Sequence, residues 1–206
     1  MFGKSVRGAS LTLTELGDPR RPGLLVVGCI HGSESAGIAV VDALFARGVP
    51  AGAHLWLVPT LNPDGQAADQ RTNADGVDLN RNFPYHWQRL QRRGAADYSG
   101  ASPLSEPESQ AMAALLRRVH PTVGVWFHQS LNVIDVSQGP RAVEDQLSAA
   151  LQVKEMSLVD YPGSAIGYED ALVPRSAFAF ELPPGTLTSD RARQVAAAIV
   201  TVASTL

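Results

Sequence analysis

"LLVVGCIHGSESAGIAVVDALFARG", residues 24–48, decides how this chain folds. Its first seven residues form a continuous apolar run, the mark of a strand covered on both faces. From Glu34 onward the apolar residues recur at helical spacing, and the pattern stops at Gly48. A second apolar run, "AHLWLVPT" (53–60), follows after a short turn. Strand, helix and strand in this order predict a crossover unit with parallel strands.

The rest of the chain extends that unit. Residues 5–15 alternate loosely and predict a strand or hairpin, and "DPRRPG" (18–23) is a turn. "SEPESQAMAALLRRVH" predicts a helix, with Ser105 and Glu108 fitting a capping box and Pro107 in the first turn. "TVGVWFHQ" (122–129) is another buried strand and "PRAVEDQLSAALQ" (140–152) a helix. "RSAFAFELP" (175–183) is a last strand, closed by the amphipathic helix 189–205. Between them, residues 61–101 form a long polar stretch with repeated turn chemistry and several aromatics, which fits an ordered functional loop. The expected fold is α/β, one domain over residues 1–206 with a mixed central sheet flanked by helices.

Composition narrows the function. Across 206 residues the chain is 45% hydrophobic and 18% charged, as soluble globular proteins are, and its net charge is -3. No basic surface points to nucleic acid or to an anionic membrane as partner. Cys29 is the only cysteine, so no disulfide can form within the chain, and its place on a strand suits a small buried residue. The N-terminus "MFGKSVRGAS" has no apolar segment of the secretory kind, and no apolar stretch reaches membrane-spanning length. The expected location is cytoplasmic.

Three buried runs each deliver an ionisable group as they surface: His31 after 24–30, His128 after 122–127, and Glu181 after 176–180. Glu34 lies three residues beyond His31. Each has a structural explanation when taken alone, such as a capped strand end or an acid in a first helical turn. Together they suggest convergence, because ligands in open α/β sheets bind beyond the carboxyl ends of the strands. Two imidazoles and one carboxylate are the protein ligands of a catalytic zinc, and Glu181 is then free as a general base. Gly32 allows a tight bend between His31 and Glu34. In the loop, "GVDLNRNFP" places Asp78, Asn80 and Arg81 together. Arginine and asparagine suit a substrate carboxylate, Asp78 suits the orientation of a ligand imidazole, and Arg71 suits a developing oxyanion.

"HGSE", "NPDG", "GVDLNRNFP", "FHQ" and "FELP", in this order, resemble the zinc metallocarboxypeptidase family over residues 3–204, and within it the bacterial murein peptide amidases. That resemblance implies one zinc ion held by His31, Glu34 and His128, with Glu181 as the base toward the attacking water. It implies Arg71 at the oxyanion, Asn80 and Arg81 on the substrate's free carboxylate, and Asp78 behind the first histidine. It also implies an eight-stranded mixed sheet. Family members carry a substrate-contacting tyrosine ahead of the catalytic glutamate; Tyr161 and Tyr168 both lie in that region, and the spacing does not choose between them. His54 and His120 read as structural, and His86 as an exposed histidine in an aromatic cluster. Gln129 is placed to support the metal site, and Asp135 and Ser137 to line the pocket.

The expected activity is hydrolysis of an amide in a short peptide with a free carboxylate, with the γ-D-glutamyl-diaminopimelate bond of a murein tripeptide as first choice. The alternatives are a deacylase of the succinylglutamate desuccinylase type, a general metallocarboxypeptidase, and a binding module that kept the fold and lost catalysis.

Overall fold

A computed structural model describes all of residues 1–206. The elements in chain order are β1 (Gly3–Lys4), β2 (Ser10–Leu11), β3 (Thr14–Gly17), β4 (Gly23–Val27), α1 (Ala36–Arg47), β5 (His54–Val58) and α2 (Pro63–Ala67). After a 3-10 turn at Leu79–Arg81 come α3 (Pro107–Val119), β6 (Val123–Gln129), β7 (Val133–Asp135) and α4 (Arg141–Leu151). The chain ends with β8 (Lys154–Met156), α5 (Ala165–Leu172), β9 (Ala177–Leu182) and α6 (Ser189–Ala203).

The main sheet runs β3-β5-β4-β6-β9-β7-β8. Strands β5, β4, β6 and β9 are mutually parallel, β3 and β7 are antiparallel to their neighbours β5 and β9, and β8 follows β7 in parallel. Seven strands stand where the resemblance implied eight. The first hairpin, β1 with β2, forms a separate two-stranded sheet. It packs on α3 instead: a Cβ at Gly3 would lie 2.4 Å from the Ala111 Cβ.

Each central strand is apolar on both sides because both sides are covered. In β4, Leu24 and Val26 enter a core beneath α1, α4 and α6, whereas Leu25 and Val27 enter a second core beneath α3 and α5. That is the two-residue alternation of a strand, read here as a continuous apolar run. β4 is followed through α1 by β5 on one side, and β5 is followed through α3 by β6 on the other side of β4. The two crossovers use opposite faces. This reversal opens a crevice at the carboxyl ends of β4 and β6, where α/β sheets bind ligands.

Local chemistry departs from expectation at α3. Ser105 and Glu108 do not form a capping box: Glu106 is the N-cap residue and makes no side-chain cap bond. Glu108 is drawn away by distant partners, accepting the Val6 N–H at 2.9 Å and an Asn73 side-chain N–H at 3.2 Å. The long polar stretch is ordered, and its middle is buried from Val77 to Phe83. Two asparagines replace the missing regular structure. Asn73 accepts the N–H groups of Asp75 and Val77, while Asn82 donates to Ser99 O, Ser102 O and Ser105 Oγ. No helix is long and apolar enough to cross a membrane.

Candidate active site

His31 leaves β4 at the crevice and is 2% exposed. Gly32 follows, and its role is room for another backbone. A Cβ there would lie 2.0 Å from the Gly65 carbonyl carbon and 2.3 Å from Gln66 N. Those atoms belong to α2, which "NPDG" builds: Asn62 Oδ1 caps it by accepting the Gly65 N–H at 2.9 Å, and Pro63 occupies the first turn. The Asn62 side-chain amide also donates to Arg71 O at 3.2 Å, and Gly32 N–H donates to the same oxygen at 3.3 Å. The strand exit, the small helix and Arg71 are thereby tied together.

His128 and Glu181 come together by register. β6 and β9 are parallel with His128 opposite Glu181, so both side chains emerge side by side on one face. It is the same face on which Trp126 and Ala179 meet α3 and α5.

Three donor atoms crowd one point. Nδ1 of His31 and Nδ1 of His128 each lie 3.0 Å from Glu34 Oε2, and 3.2 Å from each other. Donors placed about 2.0–2.1 Å from one tetrahedral ion have this spacing. The far nitrogen of His31, Nε2, donates to Asp78 Oδ1 at 3.0 Å. Asp78 therefore fixes the ring so that Nδ1 presents its lone pair to the shared point. Asp78 is fully buried. It also accepts the Asn80 N–H at 2.9 Å and Nε and Nη2 of Arg71 at 3.0 and 2.9 Å. Burial opposes its ionisation, but the hydrogen bond from His31 and the charge of Arg71 outweigh that and hold its carboxyl below the usual range. At Glu34 burial raises the carboxyl, the adjoining imidazoles of His128 and His31 lower it by more, and it stays well below the usual range. The set suits a divalent cation, since all ligand atoms lie within 4.8 Å of one another.

Other predicted residues line the same cleft. Arg71 Nη1 donates to Glu34 Oε1 at 2.9 Å. Asn80 and Arg81 are 8% and 6% exposed. Asn80 Oδ1 accepts the Ala165 N–H at the start of α5, and Arg81 Nη1 donates back to Asn80 O at 2.8 Å. The Tyr161 ring covers the Arg81 guanidinium, 4.1 Å from its centroid. Glu181 Oε2 accepts only a 3.4 Å contact from Leu131 N–H, so its carboxylate is otherwise free in the cleft.

Tyr168 is not in the cleft and its substrate-contact role is corrected. It is buried on α5 beside Phe83, and its hydroxyl accepts from Arg117 at 2.6 Å. Cys29 is inert as read: burial pushes its thiol up to about 12, and Sγ–H donates to His31 O at 3.1 Å. His54 is structural, 2.8 Å from Glu15 Oε1. Gln129 supports the site from behind: its N–H donates to Glu34 Oε2, and its side chain ties Ala36 to Pro183 and Gly185. The reading of the residues missed Gln138, Leu158, Asp160, Ser164, Ile166 and Ala179, which also line the cleft. Strand parity would have found Ala179, two residues before Glu181 on the same face; Ser164 and Ile166 open the short helix α5, and Gln138, Leu158 and Asp160 sit on irregular segments without a periodic signal.

The chain is similar to several known proteins. Residues 51–138 match the family model described as zinc carboxypeptidase. Murein peptide amidase A of Escherichia coli K12 is 31% identical over 208 residues, covering 94% of this chain and 84% of that protein. The crystal structure of murein-tripeptide amidase from Escherichia coli O157 superposes with a TM-score of 0.80 at 28% identity, covering 98% and 90% of the two chains. Carboxypeptidase A from Helicoverpa armigera gives the same TM-score at 18% identity over 98% and 67%, a likeness of fold.

Proposed function

The chain belongs to the zinc carboxypeptidase family, which makes it a hydrolase, and on that premise we propose that it cleaves the γ-D-glutamyl-diaminopimelate amide of murein peptides. In this reading residues 1–206 act as one peptidase domain, and recycled wall fragments in the cytoplasm are the source of the substrate. The observation that carries the reading is the 31% identity to a murein peptide amidase over 94% of this chain, combined with a cleft lined by His31, Glu34, Arg71, Asn80, Arg81, His128 and Glu181.

His31, Glu34 and His128 would hold one zinc ion; two imidazole nitrogens and a carboxylate are the donor set of hydrolytic zinc sites. When bound, zinc supplies a Lewis acid that makes water a nucleophile at neutral pH and polarises a carbonyl. Glu181, beside His128, takes the proton of the attacking water and returns it to the departing amine. Arg71, at the edge of the donor cluster, faces the oxygen on which charge develops. Arg81 and Asn80 hold the free carboxylate of the amine-side residue, a pairing that suits the planar fork of a buried arginine. Asp78 keeps His31 in the required tautomer.

The test is cleavage of defined substrates by zinc-loaded protein. Release of diaminopimelate from γ-D-glutamyl-meso-diaminopimelate is expected, with N-succinylglutamate left intact. Hydrolysis of succinylglutamate alone would move the chain to the deacylases. Release of the last residue from ordinary α-linked peptides alone would make it a general carboxypeptidase.

A further inference from the structure

Two irregular segments, residues 80–85 and 160–165, lie side by side and build the wall of the cleft that carries Arg81. Phe83 N–H donates to Gly163 O at 3.0 Å, and Gly163 N–H donates to Tyr85 O at 2.6 Å. The two backbones touch: a Cβ at Gly163 would lie 2.1 Å from Arg81 O, and the residue has a φ of +77° that suits glycine. The second segment is thereby fixed at Gly163, just after Tyr161. Tyr161 itself is 47% exposed, so packing alone does not hold its ring over the Arg81 guanidinium.

Before Tyr161 the tether is made by side chains. Asp160 forms no backbone–backbone hydrogen bond. Its Oδ2 accepts the Tyr85 hydroxyl at 2.5 Å, and its Oδ1 accepts the Ser164 hydroxyl at 3.5 Å. The first bond is short and charge-assisted, the strong kind, whereas the second is at the limit of a hydrogen bond. Tyr85 can serve as an anchor because its own ring is fixed. It lies on α5 in the space left by Gly167, where a Cβ would stand 2.3 Å from Cδ1 and Cε1 of the ring. Tyr85 stands behind the wall and does not line the cleft.

We propose that Tyr85 is a positioning residue for substrate binding: through Asp160 its hydroxyl holds the Tyr161 ring over Arg81, so that the guanidinium is oriented before a carboxylate arrives. The inference rests on the reading of Arg81 as the group that grips the substrate's free carboxylate. A guanidinium stacked under a ring keeps its N–H edge free for a carboxylate while one face is shielded from water. Ordering the ring in the free protein lowers the entropy that binding must lose. The effect therefore falls on affinity, not on the chemical step.

Tyr85→Phe tests this, since it keeps the ring on Gly167 and removes only the hydroxyl. Asp160 is exposed, so water takes up its carboxylate and the fold loses little. With γ-D-glutamyl-meso-diaminopimelate as substrate of the zinc-loaded protein, KM is expected to rise about three- to tenfold while kcat stays within about twofold. In a Tyr161→Ala background the same substitution is expected to leave KM where it is, because the ring it positions is gone. An unchanged KM, or a loss confined to kcat, overturns the proposal; the second result is what a purely structural role would give. A rise in KM that recurs in full without the Tyr161 ring overturns it as well. If the wild type leaves this peptide uncut, the proposed function has failed, and hydrogen exchange of the protein alone decides for Tyr85. Several-fold faster exchange at Gly163 and Ser164 in Tyr85→Phe, with β4 and β6 unchanged, supports the positioning role, and exchange equal to the wild type refutes it.

Discussion

Replacing Glu181 by glutamine is expected to lower kcat by about 10²–10⁴-fold while metal content and KM stay near those of the wild type. The amide has the shape of the carboxylate but cannot take a proton from water at neutral pH. The fold gives little reason for a structural loss. Glu181 is held in place by its register with His128, and its carboxylate accepts only the long contact from Leu131. The loss therefore falls on the chemical step, and steady-state kinetics on zinc-loaded protein separates kcat from KM. Near wild-type kcat in the variant would remove Glu181 from the mechanism.

The second large effect concerns stability. Glu169 of α5 is fully buried against β6, in space left by Gly124, where a Cβ would lie 2.0 Å from Glu169 Oε1. Trp126 Nε1–H donates to Oε2 at 2.8 Å, and Oε1 has no partner. Burial pushes this carboxyl up to about 8, opposed by the Trp126 bond and aided by the charge of Asp170. In the unfolded chain the group titrates near 4.5. Between these two values the unfolded state releases a proton that the native state keeps. Stability therefore falls as pH rises through this window, by up to about 1.4 kcal/mol per pH unit, and the dependence flattens above the native value. Glu169→Gln removes the titration. At pH 8 it is expected to be more stable than the wild type by on the order of a few kcal/mol, with a much smaller difference at pH 5. Urea unfolding at the two pH values reads this directly. Equal slopes in both proteins would show that Glu169 ionises freely in the native state.

Much of the site is legible in the sequence because of the kind of sheet that carries it. Parallel strands buried on both faces read as unbroken apolar runs, so a histidine or glutamate at the end of one is conspicuous. His31, His128 and Glu181 all stand out in that way, and the structure brings them to one crevice. What stayed hidden depended on partners far along the chain. Strands β7 and β8 have three residues each, too few to display a period. Helix α5 has eight residues and three of them, Ala165, Gly167 and Ala171, carry no polarity signal. Tyr168 is equidistant in character between a core ring and a substrate contact; Arg117, 51 residues away, decides for the core. Glu108 fits a capping box until Val6 and Asn73 arrive from distant segments. Gly32 reads as a residue that permits a tight bend, but the need comes from α2 passing against it.

The central claim is that His31, Glu34 and His128 hold one divalent ion together. A crystal of the zinc-loaded protein, measured on both sides of the zinc absorption edge, tests it most directly. The account predicts a single anomalous peak per chain, bonded to Nδ1 of both histidines and to the Glu34 carboxylate, and absent from His128→Ala. A peak on other residues, or one that persists in His128→Ala, would contradict it.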